Sequence, residues 1–459
     1  MFMLKIKPLC LTLFSFSVFA MSAAYAELST LKSMSDEQLS ETTGQALMSL
    51  SYIAPADTAN LESKRSGGDN SIGFYKLGLE AELELNANIK KLQLGCGGVN
   101  GAGGCDIDID NLSLSGFADT NTGRVASSAK LTNPFLEFAI KNPNSASQRE
   151  IVGLRVSAEK ALGLLTVGTN NDVPNGINTL SGYMIVNGYG NAITKAGTFG
   201  LNPGETVSTT ADVNILACTS GCGSNVGLQA GYGKGSSGSN TGLKIPSMVA
   251  PFTVNGAVVK GNRLKSADVI AKANIPDIPI SSNSGQLGVS LNNSACVILF
   301  ICVKDTFIKL NTTLSGLTAD INFSEGLGYI HNLPINSSVY LALQQKTIQW
   351  PGAKEEAMRG WWLSMQDPIN LGDISPKDNI DISSVYPQFA TILGQKLQEP
   401  AYKISVNTGD GLQALFGSGI TKTLSPIDLR GSSVGINLNN LPLSTQNIIS
   451  NCYGTLKFC

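Results

Sequence analysis

The chain has 459 residues, of which 42% are hydrophobic and only 14% charged, with 49 glycines and a formal net charge of −2. That length allows one elongated domain or two or three ordinary ones, and the apolar content is ample for a core. With no cluster of Lys or Arg, the composition excludes a surface built for the phosphate backbone of nucleic acid. Its wealth of Gly, Ser, Thr and Asn favours short strands and turns over long helices.

Residues 1–26 read as an export signal. Lys5 and Lys7 supply the positive start, Leu9 to Met21 the short apolar stretch, and Ala24-Tyr25-Ala26 the small-x-small cleavage site. The mature chain is therefore expected to begin at Glu27 and to leave the cytoplasm. Beyond the signal no apolar run approaches the roughly 20 residues of a membrane helix, so no transmembrane helix is expected.

Next comes Ser35-Asp36-Glu37-Gln38-Leu39-Ser40-Glu41-Thr42-Thr43-Gly44-Gln45-Ala46. Ser35 is a suitable helix cap, Gln38 stands at the capping-box position, and Asp36 and Glu37 suit the positive helix end. Gly44 fits the left-handed residue that stops a helix. This segment resembles the signature that opens a group of exported, Gly/Asn-rich, β-rich proteins of Gram-negative bacteria. Some of these are described as pilus-system or surface proteins encoded near a peptidase-like export partner. The resemblance implies an exported structural or interaction protein with protein partners in a pilus or surface assembly system, and with self-assembly as one mode of action. Leu39, Gly44, Gln45 and Ala46 are the expected recognition element, with Leu39 as its apolar handle.

The period then becomes that of strands. Residues 27–50 are expected to hold the signature helix and a first strand, 51–245 one β-rich domain, and 246–459 a second, divided at the Gly/Ser run Gly231 to Gly242. From Leu77 to Ile89, apolar and polar residues alternate strictly, which predicts one long strand with Leu79, Leu83 and Leu85 facing a core. Leu92 and Leu94 lead on to Cys96, and Ile107, Ile109, Leu112 and Leu114 lead back from Cys105, as in a hairpin. Ala295 to Val303 reads as a buried strand, Val339 to Trp350 as an extended one, and Gly360-Trp361-Trp362 as the start of its return. The one clear helix is expected near 385–397, capped by Ser383-Ser384 and stopped before Pro400. The fold class is mainly β: long antiparallel strands in a sandwich or extended sheet, with few short helices.

Of nine cysteines, Cys10 lies in the signal, and the other eight form four sequence-local couples. Export predicts the disulfides Cys96–Cys105, Cys218–Cys222, Cys296–Cys302 and Cys452–Cys459. A metal site at Cys218 and Cys222 lacks both a C-x-x-C spacing and a nearby histidine.

Catalytic signals are few. Gly431-Ser432-Ser433-Val434-Gly435 matches the nucleophile-elbow pattern, but the only histidine, His331, precedes it, and the residues after it do not read as a helix. One histidine also removes most zinc-hydrolase and His acid–base designs. Asp106, Asp108 and Asp110 have the spacing of a calcium loop, yet Ile107 and Ile109 between them indicate a strand with an acidic face. Trp361 and Trp362 are expected on opposite faces of one strand, one in a core and the other exposed. No cofactor, catalytic residue or metal is assigned. The expectation is an exported, non-enzymatic structural or interaction protein of the periplasm, outer-membrane surface or exterior, acting in assembly or adhesion. An outer-membrane barrel or a secreted hydrolase is the alternative, the barrel opposed by an aromatic content of 7%.

Overall fold

Alternating sequence dominates the chain, and strand accounts for 56% of the structure against 9% helix, as the composition predicts. A computed structural model describes residues 48–444, apart from 171, 172, 217, 299 and 300. The expected signal, the signature segment with Leu39, Gly44, Gln45 and Ala46, and the couple Cys452 and Cys459 lie outside the described residues. The first eight strands are β1 (Met48–Ile53), β2 (Ile72–Leu79), β3 (Glu82–Leu85), β4 (Ala87–Leu94), β5 (Ile107–Ser115), β6 (Ala129–Lys141), β7 (Glu150–Thr166) and β8 (Ile177–Ile193).

Sixteen strands make one sheet and ten a second. The larger sheet runs from β1 through β2, β6 and β7 to the strands Val339–Gln344 and Gly360–Met365. It then passes through β8 to Val249–Leu264, Ser266–Asn274, Thr318–Gly326 and Ser433–Asn439. Most neighbours are antiparallel. Gly360–Met365 joins β8 in parallel at Gly182, where a Cβ would stand 2.2 Å from the Leu363 carbonyl oxygen. Glycine lets the two backbones approach there.

The two expected β-rich domains are one. β8 pairs with Val249–Leu264 and β7 with Val339–Gln344, so strands from both sides of residue 245 share a sheet. The described residues all fall in a single compact unit. The Gly/Ser run merely connects Gly223–Gly231 to Gly242–Ile245, both of which pair with Gly285–Ile298. The main core lies between the two sheets, where Phe252, Ala271 and Ala319 of one meet Val207, Leu228 and Leu287 of the other. The helix α1 (Tyr386–Lys396) closes it with Phe389 and Leu393. Its start carries Pro387 in the first turn and no side-chain cap, so Ser383 and Ser384 form a 3-10 turn instead of the expected cap.

Three of the four expected disulfides are present: Cys96–Cys105, Cys218–Cys222 and Cys296–Cys302. The first closes the β4–β5 hairpin as expected. The third corrects the reading of Ala295 to Val303 as one strand. That stretch is the end of a hairpin in which Cys296 sits directly opposite Cys302. Its apolar run hid the reversal, because a tight hairpin end has the same composition as a buried strand.

Leu77 to Ile89 is also not one strand. It divides among β2, β3 and β4. The cause lies in the neighbour: β6 carries Asn133 at φ 47 followed by Pro134, which has no N–H. β2 pairs with β6 from Phe135 onward and β3 with it up to Thr132, so the ladder is interrupted opposite Glu80 and Ala81. β4 then leaves β6 for β5. Leu79 and Leu85 are only half-buried and Leu83 is 44% exposed, so the leucine face is not the core face. Leu83→Asp should therefore change stability by less than about 0.5 kcal/mol. Ile107→Asp, at a side chain with no exposure, should cost several kcal/mol, as an unpaired buried carboxylate does. Urea unfolding midpoints of the two variants check this.

Candidate functional site: the apolar face at the sheet edge

β1 reads Met-Ser-Leu-Ser-Tyr-Ile and is the terminal strand of the larger sheet, paired only with β2 among the described residues. Its even-numbered residues Met48, Leu50 and Tyr52 are apolar, while the odd-numbered ones are Ser49, Ser51 and Ile53. Cross-strand register aligns Leu50 with Leu77, Leu77 with Leu136, and Leu136 with Val156. This row across four strands lies on the outer face, with exposures of 73%, 36%, 39% and 49% in that order. One row along, Tyr52 stacks on Tyr75 with ring centroids 4.3 Å apart, and Phe138 and Leu154 continue that row. Met48 stands beside them, 58% exposed. An antiparallel sheet usually buries one face and wets the other with polar side chains. Here the outer face is apolar, while the inner one carries a core with Phe74 and Ala139 beside the row Ser51–Lys76–Glu137–Arg155. A contiguous exposed patch of this kind marks an interaction surface.

The opposite face fixes the strands that carry the patch. Glu137 of β6 and Arg155 of β7 sit directly opposite each other and form a buried ion pair. The guanidinium carbon lies 5.3 Å from the ring centroids of Phe135, Tyr340 and Trp350, and its Nη2 donates to the Pro351 carbonyl at 3.1 Å. Burial pushes the Glu137 carboxyl up and the Arg155 guanidinium down, each against the attraction of its partner. At the rim, Lys76 lies 4.3 Å above the Phe135 ring and pairs with Glu159 at 3.0 Å. Trp362, with no exposure, packs in the same core; Trp361 lies on the other face, as their adjacency predicts, but is half-buried against a second core instead of exposed.

The other sequence candidates are distributed elsewhere. Ser433 opens the strand Ser433–Asn439 and its hydroxyl donates to Asp320 at 2.7 Å. The pattern around it runs into a strand, where an elbow needs a helix. His331 is buried with Nδ1 3.0 Å from the Val167 carbonyl oxygen. Asp108 and Asp110 both take Lys91 Nζ, the second at 2.9 Å, and both accept from Asn178 at 3.0 and 2.7 Å. Asp106 turns inward and accepts from the Trp361 N–H at 3.0 Å. No group of three or more His, Cys, Asp or Glu side chains able to hold a metal occurs among the described residues.

Two buried charges had no sequence signal. Glu62 accepts from Arg65 Nε, the Asp69 N–H and the Gln349 N–H at 2.7–3.0 Å. Arg124 donates to Ser115, Thr166, Leu164 and Ser113. Both lie in stretches whose polarity reads as loop. A wholly apolar cavity of about 70 Å³ also separates α1 from the larger sheet, over a floor of Ala192, Ala250, Ala273 and Ala319.

Two outcomes are expected. Arg155→Met should destabilise by about 3–5 kcal/mol by stranding Glu137, and Arg155→Met with Glu137→Leu should recover most of that loss in urea unfolding. Burial pushes the His331 imidazole down, partly opposed by the Val167 carbonyl. Folding thus favours the neutral ring, so its stabilising share is full above the unfolded pKa of about 6.5 and is lost as pH falls below it. Unfolding midpoints measured from about pH 7.5 to 5.5 should fall less steeply in His331→Gln than in wild type.

No protein-family model, no curated protein and no solved structure matches this chain.

Proposed function

We propose that the chain is an exported, non-enzymatic structural or interaction protein of a bacterial cell surface, acting in assembly or adhesion beside the pilus-system proteins whose opening signature it resembles. The observation that carries this reading is the outer apolar face of the sheet, with Leu50, Leu77, Leu136 and Val156 exposed at its edge. Such a face has a purpose when another polypeptide covers it. Three sequence-local disulfides suit an oxidising compartment. No helix among the described residues is long and apolar enough to cross a membrane. Recognition by the export or assembly partner is assigned to Met34–Ala46, with Leu39, Gly44, Gln45 and Ala46 as its core.

Fractionation with protease shaving of intact cells tests the reading. Wild type is expected outside the cytoplasm and cleaved on intact cells. A variant lacking Met34–Ala46 should fold, reach the periplasm and resist shaving. A cytoplasmic wild type would overturn the assignment of an exported protein, and normal shaving of the deletion variant would overturn the recognition role.

A further inference from the structure

We propose that β1 is a self-pairing edge, through which two copies of this chain join antiparallel about a two-fold axis at Leu50 and merge their larger sheets. This deepens the reading as an interaction protein and rests on it.

Three observations carry it. First, among the described residues β1 is an edge strand paired only with β2, and it has none of the usual protections: its six residues contain no charge and no proline, and its pairing with β2 is free of bulges. Its unpaired N–H and C=O groups form a template for another strand. Second, the strand is palindromic in pattern. Antiparallel pairing about Leu50 sets Met48 opposite Tyr52 of the second copy, Ser49 opposite Ser51, and Leu50 opposite Leu50. Apolar side chains meet apolar ones on the outer face, and serine meets serine on the other. A two-fold contact needs this self-complementarity, and a one-residue slip would destroy it. The row Leu50–Leu77–Leu136–Val156 then continues without a break into the row of the second copy.

Third, charge does not oppose it. The one charged side chain of β1 and β2, Lys76, sits opposite Ser51 and is paired with Glu159. Across the joint the two Lys76 residues are three strand spacings of about 4.8 Å apart, beyond a Debye length of about 8 Å. A six-residue edge buries less than the roughly 1,600 Å² of a standard interface, so the association is reversible and depends on concentration.

The test uses the mature chain. Light scattering over a concentration series should show a monomer–dimer equilibrium. Leu50→Lys, at an exposed side chain, places like charges face to face and should weaken it by more than about tenfold. Mixing Leu50→Lys with Leu50→Glu should restore dimers. Leu50→Cys should give a covalent dimer on oxidation, because directly opposed residues lie within disulfide reach. Leu77→Cys, one strand inward on the same face, should not. A wild type that stays monomeric at every concentration overturns the proposal and leaves the edge to a strand from a different protein. Dimers that persist in Leu50→Lys, or no crosslink through Leu50→Cys, overturn it as well. A monomer that is still displayed on cells sinks this inference alone, whereas loss of surface location sinks the broader reading whatever the oligomeric state.

Discussion

A charge buried between two strands governs this end of the molecule. Arg155 is held by Glu137 on the neighbouring strand and by three rings drawn from β6, from Val339–Gln344 and from the turn at Trp350. Ion pairs taken out of water return little net stability, but they are satisfied in one arrangement only. Shifting β6 by one residue against β7 would turn Leu136 inward and Glu137 outward and leave Arg155 stranded in the core. The pair therefore works as a register pin, and the exposed apolar row on the far side of the sheet depends on it.

The parts of the fold that were legible are those fixed by local rules. Alternation and turn residues disclosed a β protein, the β4–β5 hairpin and the Trp361/Trp362 split. Cysteine proximity disclosed three disulfides without knowledge of topology. What failed depended on partners distant in sequence. Leu77 to Ile89 alternates perfectly, yet its continuity is broken by Asn133 and Pro134 on another strand. Leu83 carries the pattern of a core residue but faces solvent, because alternation states that two faces differ and not which of them is covered. Glu62 and Arg124 look like surface charges until Gln349 and Thr166 arrive beside them. The expected domain boundary failed likewise: Gly231 to Gly242 has the composition of a linker, and composition does not reveal that both its ends enter the same sheet.

The candidate site was the least legible element. Leu50, Leu136 and Val156 are ordinary strand residues, and only the register between strands assembles them into one surface. The residues that chemistry-seeking patterns select, Ser433, His331 and the three aspartates, instead occupy structural positions. Site and scaffold are here the same object, one sheet whose inner face makes the core and whose outer face stays open.

The topology also sets an order of events. β7 waits for Asn332–Ser337 and Val339–Gln344, β8 waits for Gly360–Met365, and Thr318–Gly326 waits for Ser433–Asn439. Pairings this remote make for slow folding, since a long loop must close before any contact rewards it. On the proposed export route, crossing a membrane from its N-terminus, the chain would present β1, β2, β6 and β7 well before the strands that complete their sheet. During that interval the early strands have free edges and uncovered apolar side chains, the condition under which chains aggregate. The sequence-local cystines are available throughout, since each needs only its own hairpin or loop. They can close while the rest of the polypeptide is still in transit, which turns short-range oxidation into the first committed step of a long-range fold.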